Sequence, residues 1–107
     1  MKVNLDDLKP ATFRPLLRTK FRVCADPAPP VEIELVEVTV SQSRETGSGQ
    51  EIFSLLFNGP NENFLPQKMY AFEHEKLGRF DLFIVPVGSA GGLFQYQAVF
   101  NRRLDGK

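Results

Sequence analysis

The 107-residue sequence holds one histidine and one cysteine, so metal or nucleophilic chemistry would have to run through His74 or Cys24. His74 stands between Glu73 and Glu75, and all three are types that ligate divalent cations. Neighbours on a strand point to opposite faces, however, and cannot converge on one ion. Cys24 and His74 could pair as thiol nucleophile and base, but no third group is apparent to orient the histidine and the spacing matches no thiol-enzyme signature. The preferred readings are a histidine that bonds locally at a hairpin end and a half-buried structural thiol. Gly88 to Gly92 precedes a strand and not a helix, so it is no phosphate-binding loop. No catalytic residue, metal ligand or cofactor is expected.

A weak basic patch is formed by Arg14, Arg18, Lys20 and Arg22, joined by Arg102 and Arg103 if the first and last strands pair. Oligonucleotide-binding barrels combine a basic groove with exposed rings, whereas most rings here fall on faces that a core requires. Thirteen basic residues balance thirteen acidic ones, which leaves no net field to draw the chain to nucleic acid or an anionic membrane. No stretch approaches the length of a membrane span. The opening MKVNLDDLKP meets two acids before any apolar run, unlike a signal peptide, and the lone cysteine cannot form an internal disulfide. A cytoplasmic location is the expectation.

The elements that would position these residues are strands. Between Met69 and Val87, Tyr70, Phe72 and His74 share one face, and Phe80, Leu82 and Ile84 share another after the turn Glu75-Lys76-Leu77-Gly78. Gly78 supplies the left-handed backbone that such a turn needs. The second strand is also apolar on its far side, through Phe83, Val85 and Val87, so something must cover it. Phe21 and Val23 alternate with Lys20, Arg22 and Cys24. Asp26 to Pro30 is a stiff corner. Val31, Ile33 and Leu35 then alternate, and the phase flips to Val36, Val38 and Val40, which signals a bulge near Leu35-Val36. Lys20 and Arg22 could face Glu34 and Glu32 across the corner as solvated pairs.

Ser41 to Gln50 is polar and aperiodic, an exposed loop. Phe53, Leu55 and Phe57 share a face, Asn58 to Asn61 reads as a turn, Gly88 to Gly92 as a flexible connection, and Phe94, Tyr96, Ala98 and Phe100 as the inward side of a last strand. Helix is confined to short turns between Asn4 and Arg18, with Pro10 ending the first and Thr12 capping the second; their apolar stripe is the natural cover for the far face of the central hairpin. The pattern predicts one all-β domain. It is a six-stranded antiparallel meander curled into a small barrel over residues 19–101, with a helical or irregular cover at 1–18 and a polar tail at 102–107. Pro86 opposes a central strand, since it lacks a donor, unless pairing on one side stops near Val85 or a bulge sits there.

FSLLFNGP at Phe53 to Pro60, LPQKMYAFEHEKLGRFDLFIVPVG at Leu65 to Gly88 and YQAVFN at Tyr96 to Asn101 resemble the signature of a family of small bacterial proteins of uncharacterised function. Its members read FSLLF-x-GP, LPQGTY, EH-x-x-LG, F-x-LF-x-VPVG and Y-x-A-x-FN. Phe13 to Leu17 and Phe21 to Val23 resemble its opening. The sequence departs from it at Lys68-Met69, in place of Gly-Thr, and at Arg18, where glycine is common, so turn geometry is in question at both. The resemblance implies a compact all-β domain, with some members encoded beside phage-tail-collar-like proteins.

Ile52, Leu56, Phe83, Val85 and Val87 exceed what one barrel interior holds, and two short helices are too small to cover them all. The expected function is a non-enzymatic interaction or assembly module that docks a protein partner or a second copy of itself. A small-ligand carrier using the barrel mouth is the second reading. A single-stranded nucleic-acid barrel is the third, and no membrane partner is expected.

Overall fold

The computed structural model describes residues 8–25, 29–43, 50–60, 62 and 64–103. Residues 4–7 of the expected helical stretch, 44–49 of the expected loop at Ser41 to Gln50, 26–28 of the corner and 104–107 of the tail lie outside them; the ends of that loop are strand instead, Ser41 to Ser43 in β2 and Gln50 in β3. A short helix, α1 (Pro10–Phe13), runs into a single 3-10 turn (Arg14–Leu16). Six strands follow: β1 (Lys20–Cys24), β2 (Val31–Ser43), β3 (Gln50–Pro60), β4 (Lys68–His74), β5 (Gly78–Ala90) and β6 (Leu93–Arg103). They close into an antiparallel barrel, as their alternation predicts.

The strand order is β1-β2-β3-β6-β5-β4, which is not a continuous meander. After β3 the chain crosses to the far edge and returns, so β4 pairs with β1 and β6 pairs with β3. Arg102 and Arg103, assigned to the tail by their polarity, are paired with Glu51 and Gln50. The first and last strands therefore do not meet.

Two strands change partner part-way along, and each does so at a bulge. β1 holds β2 over Val31–Glu34 and β3 takes over from Glu34, with a register shift between Leu35 and Glu37 that leaves Val36 unpaired. β4 holds β5 from Gly78 to Ile84, and β6 takes over at the Val85–Gln97 pair. A second shift falls between Pro86 and Gly88. Both devices that would admit Pro86 are thus present: pairing with β4 ends before it and the ladder with β6 is interrupted beside it.

Turn chemistry corrects the sequence reading twice. Asn58, Gly59 and Pro60 belong to β3, opposite Gln95, Phe94 and Leu93. Gly88 to Ala90 likewise belongs to β5, and the connection shrinks to Gly91-Gly92, whose φ of 59° and 79° gives a two-residue hairpin of the kind that suits strand twist. Gly78, at φ 85°, has the left-handed backbone expected of it. Gly59 is required for space: a Cβ there would stand 2.7 Å from Ile33 Cγ2 and 3.1 Å from the Tyr96 ring.

The interior is filled by rings. Phe21, Phe53, Phe57, Phe72, Phe80 and Tyr96 are all fully buried. Pro10 starts α1, where its missing N–H costs nothing, instead of ending a helix. The Lys9 N–H donates to Thr12 Oγ1 at 3.2 Å, and the Thr12 N–H to the Lys9 carbonyl at 2.9 Å. This short turn does not cover the outside of the β4–β5 hairpin. It enters the barrel, where the Phe13 ring lies 6.4, 6.2, 6.5 and 5.8 Å from those of Phe21, Phe53, Phe80 and Phe100. Leu8 and Leu16 are buried with it. The apolar stripe fills the widening between strands that the partner changes create, a larger burial than a flat outer face offers. Toward the other end, Leu65 is buried and its N–H donates to Tyr96 Oη at 3.0 Å, while Tyr70 Oη donates to the Pro66 carbonyl at 2.7 Å.

Arg18 retains a glycine-like backbone at φ 72°, and its N–H donates to the Leu35 carbonyl at 2.7 Å. Lys68 and Met69 simply begin β4. Arg18→Gly should raise stability by about 1 kcal/mol, because left-handed strain outweighs the entropy of one added glycine. Phe13→Ala should cost about 3–5 kcal/mol. Urea midpoints at unchanged m-value measure both; a loss below about 1 kcal/mol for Phe13→Ala would mean that α1 only rests on the surface.

Candidate interaction surface

Alternation along β4 places Glu73 outward and His74 inward. Glu73 meets Arg79 Nε at 3.2 Å and Arg22 at 4.0 Å on the outer face. His74 is buried, 4.4 Å from the Phe21 ring. Its Nδ1 accepts the Lys76 N–H at 3.0 Å, which leaves Nε2–H to donate to Thr19 Oγ1 at 2.9 Å. The Thr19 hydroxyl in turn donates to the Leu16 carbonyl at 2.6 Å. Both ring nitrogens are thus engaged in fastening the hairpin end to the segment that carries α1. Burial lowers the His74 pKa, with Glu75 opposing and Lys76 adding to that shift. Cys24 lies opposite Ala71 on β1, three positions along β4 from His74 and on the other face, so the two do not form a pair.

The basic residues do not gather into a groove of one sign. Arg14 and Arg18 are exposed on the turns before β1, and Arg22 is held by Glu73. Lys20 and Arg22 stand opposite Glu34 and Glu32, the expected cross-strand register. A cleft of about 550 Å³ beside His74 is lined by Lys20, Arg22 and Arg79 together with Glu32, Glu73 and Glu75, so its charges balance. A second, of about 730 Å³, runs past Pro30, Pro60 and Leu93. Both lie on the outside of the barrel wall.

The five apolar residues singled out from the sequence all point outward, but the pairing brings together only Ile52, Leu56, Val85 and Val87, on β3 and the β6-paired half of β5, and leaves Phe83 on the half of β5 that pairs with β4. On β3, Leu56 stands opposite Gln97 of β6, which pairs in turn with Val85 of β5. Phe83 lies one pleat further along β5 and is 44% exposed, and the bulged Val87 is 49% exposed. Ile52, Leu56 and Val85 are half-buried. Two further members were missed. Met69 pairs with Phe83 and is 53% exposed, and Val99, one pleat beyond Gln97 and opposite Ser54, is 61% exposed. Their signal was the same alternation: each precedes or follows a buried residue, Tyr70 and Ala98. Leu56, Val85 and Val99 lie across the paired strands β3, β6 and β5, whereas Met69 and Phe83 lie round the corner at which β5 exchanges β6 for β4.

Residues 8–100 match the family described as "Domain of unknown function (DUF6916)". No curated protein and no solved structure matches the chain.

The His74 geometry fixes a pH dependence. The unfolded imidazole takes up a proton as pH falls past about 6.5, whereas the folded one, its pKa lowered by burial, resists until lower pH. The unfolded state then binds more protons, so His74 contributes full stability above that range and loses it as pH drops toward the folded value. Urea midpoints between about pH 7 and pH 5 should fall more steeply for the wild type than for His74→Gln. Equal slopes would show that the ring is not held neutral.

Proposed function

From the chain's membership of the DUF6916 family, whose description states no activity, we propose that the domain is a non-enzymatic interaction module docking a protein through the outer apolar face of β3, β6 and the half of β5 that pairs with β6. One observation carries this reading: Met69, Phe83 and Val99 remain exposed although the barrel already holds a complete ring core and α1 has been drawn inside it. Val99, with the half-buried Leu56 and Val85 beside it on the paired strands β3, β6 and β5, loses its remaining solvent contact only against another molecule. The engaged nitrogens of His74 and the distance of Cys24 from it support a role without bond chemistry. The ring-filled interior favours this reading over a ligand carrier, and the balanced charges of the cleft favour it over a nucleic-acid groove. The resemblance read from the sequence adds a finer proposal, that the partner is a phage-tail-like or collar-type protein.

A photoreactive residue in place of Val99 should crosslink to a discrete protein product under native conditions, and one in place of Glu32, on the charged side, should not. Equal yields at both positions would remove the face from consideration.

A further inference from the structure

We infer that His74 is a pH-sensitive latch: on taking up a proton at Nδ1 it leaves its seat against Phe21 for the outer cleft and releases the β4–β5 hairpin end from the Thr19 segment. This stands apart from the docking role of the outer face. The seat accepts one protonation state only. Nδ1 takes a hydrogen bond from the Lys76 N–H at 3.0 Å, and Nε2 meets Thr19 Oγ1 at 2.9 Å, whose own proton is committed to the Leu16 carbonyl at 2.6 Å. The neutral ring satisfies both neighbours, with a lone pair at Nδ1 and an N–H at Nε2. An imidazolium carries a donor at each nitrogen, so Nδ1–H would point at the Lys76 N–H and an attraction becomes a contact between two donors. The Lys76 amide cannot simply turn aside, because the Glu73–Arg79 and His74–Gly78 pairs fix both ends of the turn that holds it.

The surroundings decide where the charged ring goes. On its inner side lies Phe21, itself packed among Phe57, Phe72 and Phe80, and none of these rings offers an acceptor. The attraction of a cation to one ring face is smaller than the cost of burying it unpaired. On the other side the cleft of about 550 Å³ is open to water. It presents Lys20 and Arg22 from β1, Glu32 from β2, Glu73 from β4, Arg79 from β5 and Glu75 from the turn. Arg79 and Arg22 are drawn to Glu73, at 3.2 and 4.0 Å, and Lys20 and Arg22 stand opposite Glu34 and Glu32. Glu75, exposed beside the ring, favours its charged form, and Lys76 opposes it. The imidazolium therefore turns outward to water and Glu75, and its bond to Thr19 goes with it. The barrel stays closed, since β4 keeps its ladders with β1 and β5.

NMR of the full chain between about pH 7.5 and pH 5, above the range in which the carboxylates of the cleft take up protons, tests this. At the upper end the His74 ring protons should show cross-relaxation with the Phe21 ring. As the imidazole titrates, those cross-peaks should vanish and the exchange protection of the Lys76 amide, corrected for its intrinsic rate, should fall about tenfold, as expected on loss of one hydrogen bond. The amides of Phe53, Leu55 and Ala98 should keep their protection. His74→Gln can still donate to Thr19 and His74→Asn can still accept from Lys76, but neither titrates, so Lys76 protection should be the same at both ends of the range; either variant serves if the other fails to fold. Cross-peaks to Phe21 that persist through the titration would overturn the latch, because the ring would have stayed in its seat. So would an imidazole still neutral at pH 5, a fall in Lys76 protection in the non-titrating variants, or a simultaneous loss of protection at Phe53, Leu55 and Ala98, which is general unfolding.

Discussion

Closing six strands into one wall requires corners, and this chain makes them by letting β2 and β5 each trade one neighbour for another across an extra residue. Val36 is the extra residue in β2, and the shift between Pro86 and Gly88 serves the same purpose in β5. A bulge bends its strand and sharpens the twist, so the two halves of each strand can serve sheets that run in different directions. Pro86 is admissible only because of this. In a strand paired continuously on both sides its missing donor would cost a ladder bond; at a change of partner no such bond is interrupted.

The corners have a cost in turn, which the ends of the barrel meet. Where strands diverge, the wall opens and the core would face water. At one end Phe13, carried in by α1, fills the opening among Phe21, Phe53, Phe80 and Phe100. Toward the other, Leu65 is drawn in by Tyr96, with Tyr70 holding the next carbonyl. Burial raises the pKa of both phenols, so Tyr70 keeps the proton that it donates to Pro66 while Tyr96, uncharged, accepts from Leu65. The His74–Thr19–Leu16 chain belongs to the same task. It ties the β4 end to the turn that delivers α1, with every polar atom of the three groups matched inside a wall of rings.

Period-two alternation reveals which face a side chain takes but not which strand lies beside it. The inward sets on β3, β4, β5 and β6, the Leu35-Val36 bulge and the two escapes for Pro86 are local properties, and all were legible. Strand order was not. The crossing between β3 and β4 depends on which pairings close the wall, a long-range matter that nothing in residues 60–67 announces. Turns were legible only where a single glycine sat between clear strands, as at Gly78. At Gly91-Gly92 the preceding Gly88 and Ser89 resemble loop by composition, and only the pairing of Ala90 with Leu93 shows the strand running on. The outer face was half legible: Phe83, Val85 and Val87 stood out in an apolar run, whereas Val99, flanked by Gln97 and Asn101, looked like an isolated exception.

The exposed face and the buried helix are two consequences of one allocation. A chain of 107 residues with ten phenylalanines has ample apolar material but, among the described residues, a single short helical segment with which to shield it. Spent outside, that segment would have covered part of β5 and left an open barrel end, exposing Phe53, Phe80 and Phe100, three large rings in place of scattered aliphatic side chains. Burial scales with apolar area, so filling the opening is the stronger of the two uses. What remains outside is then a wall of medium-sized side chains on a surface stiffened by ladder bonds. Such a wall loses little conformational freedom when another surface meets it, and so favours association over collapse.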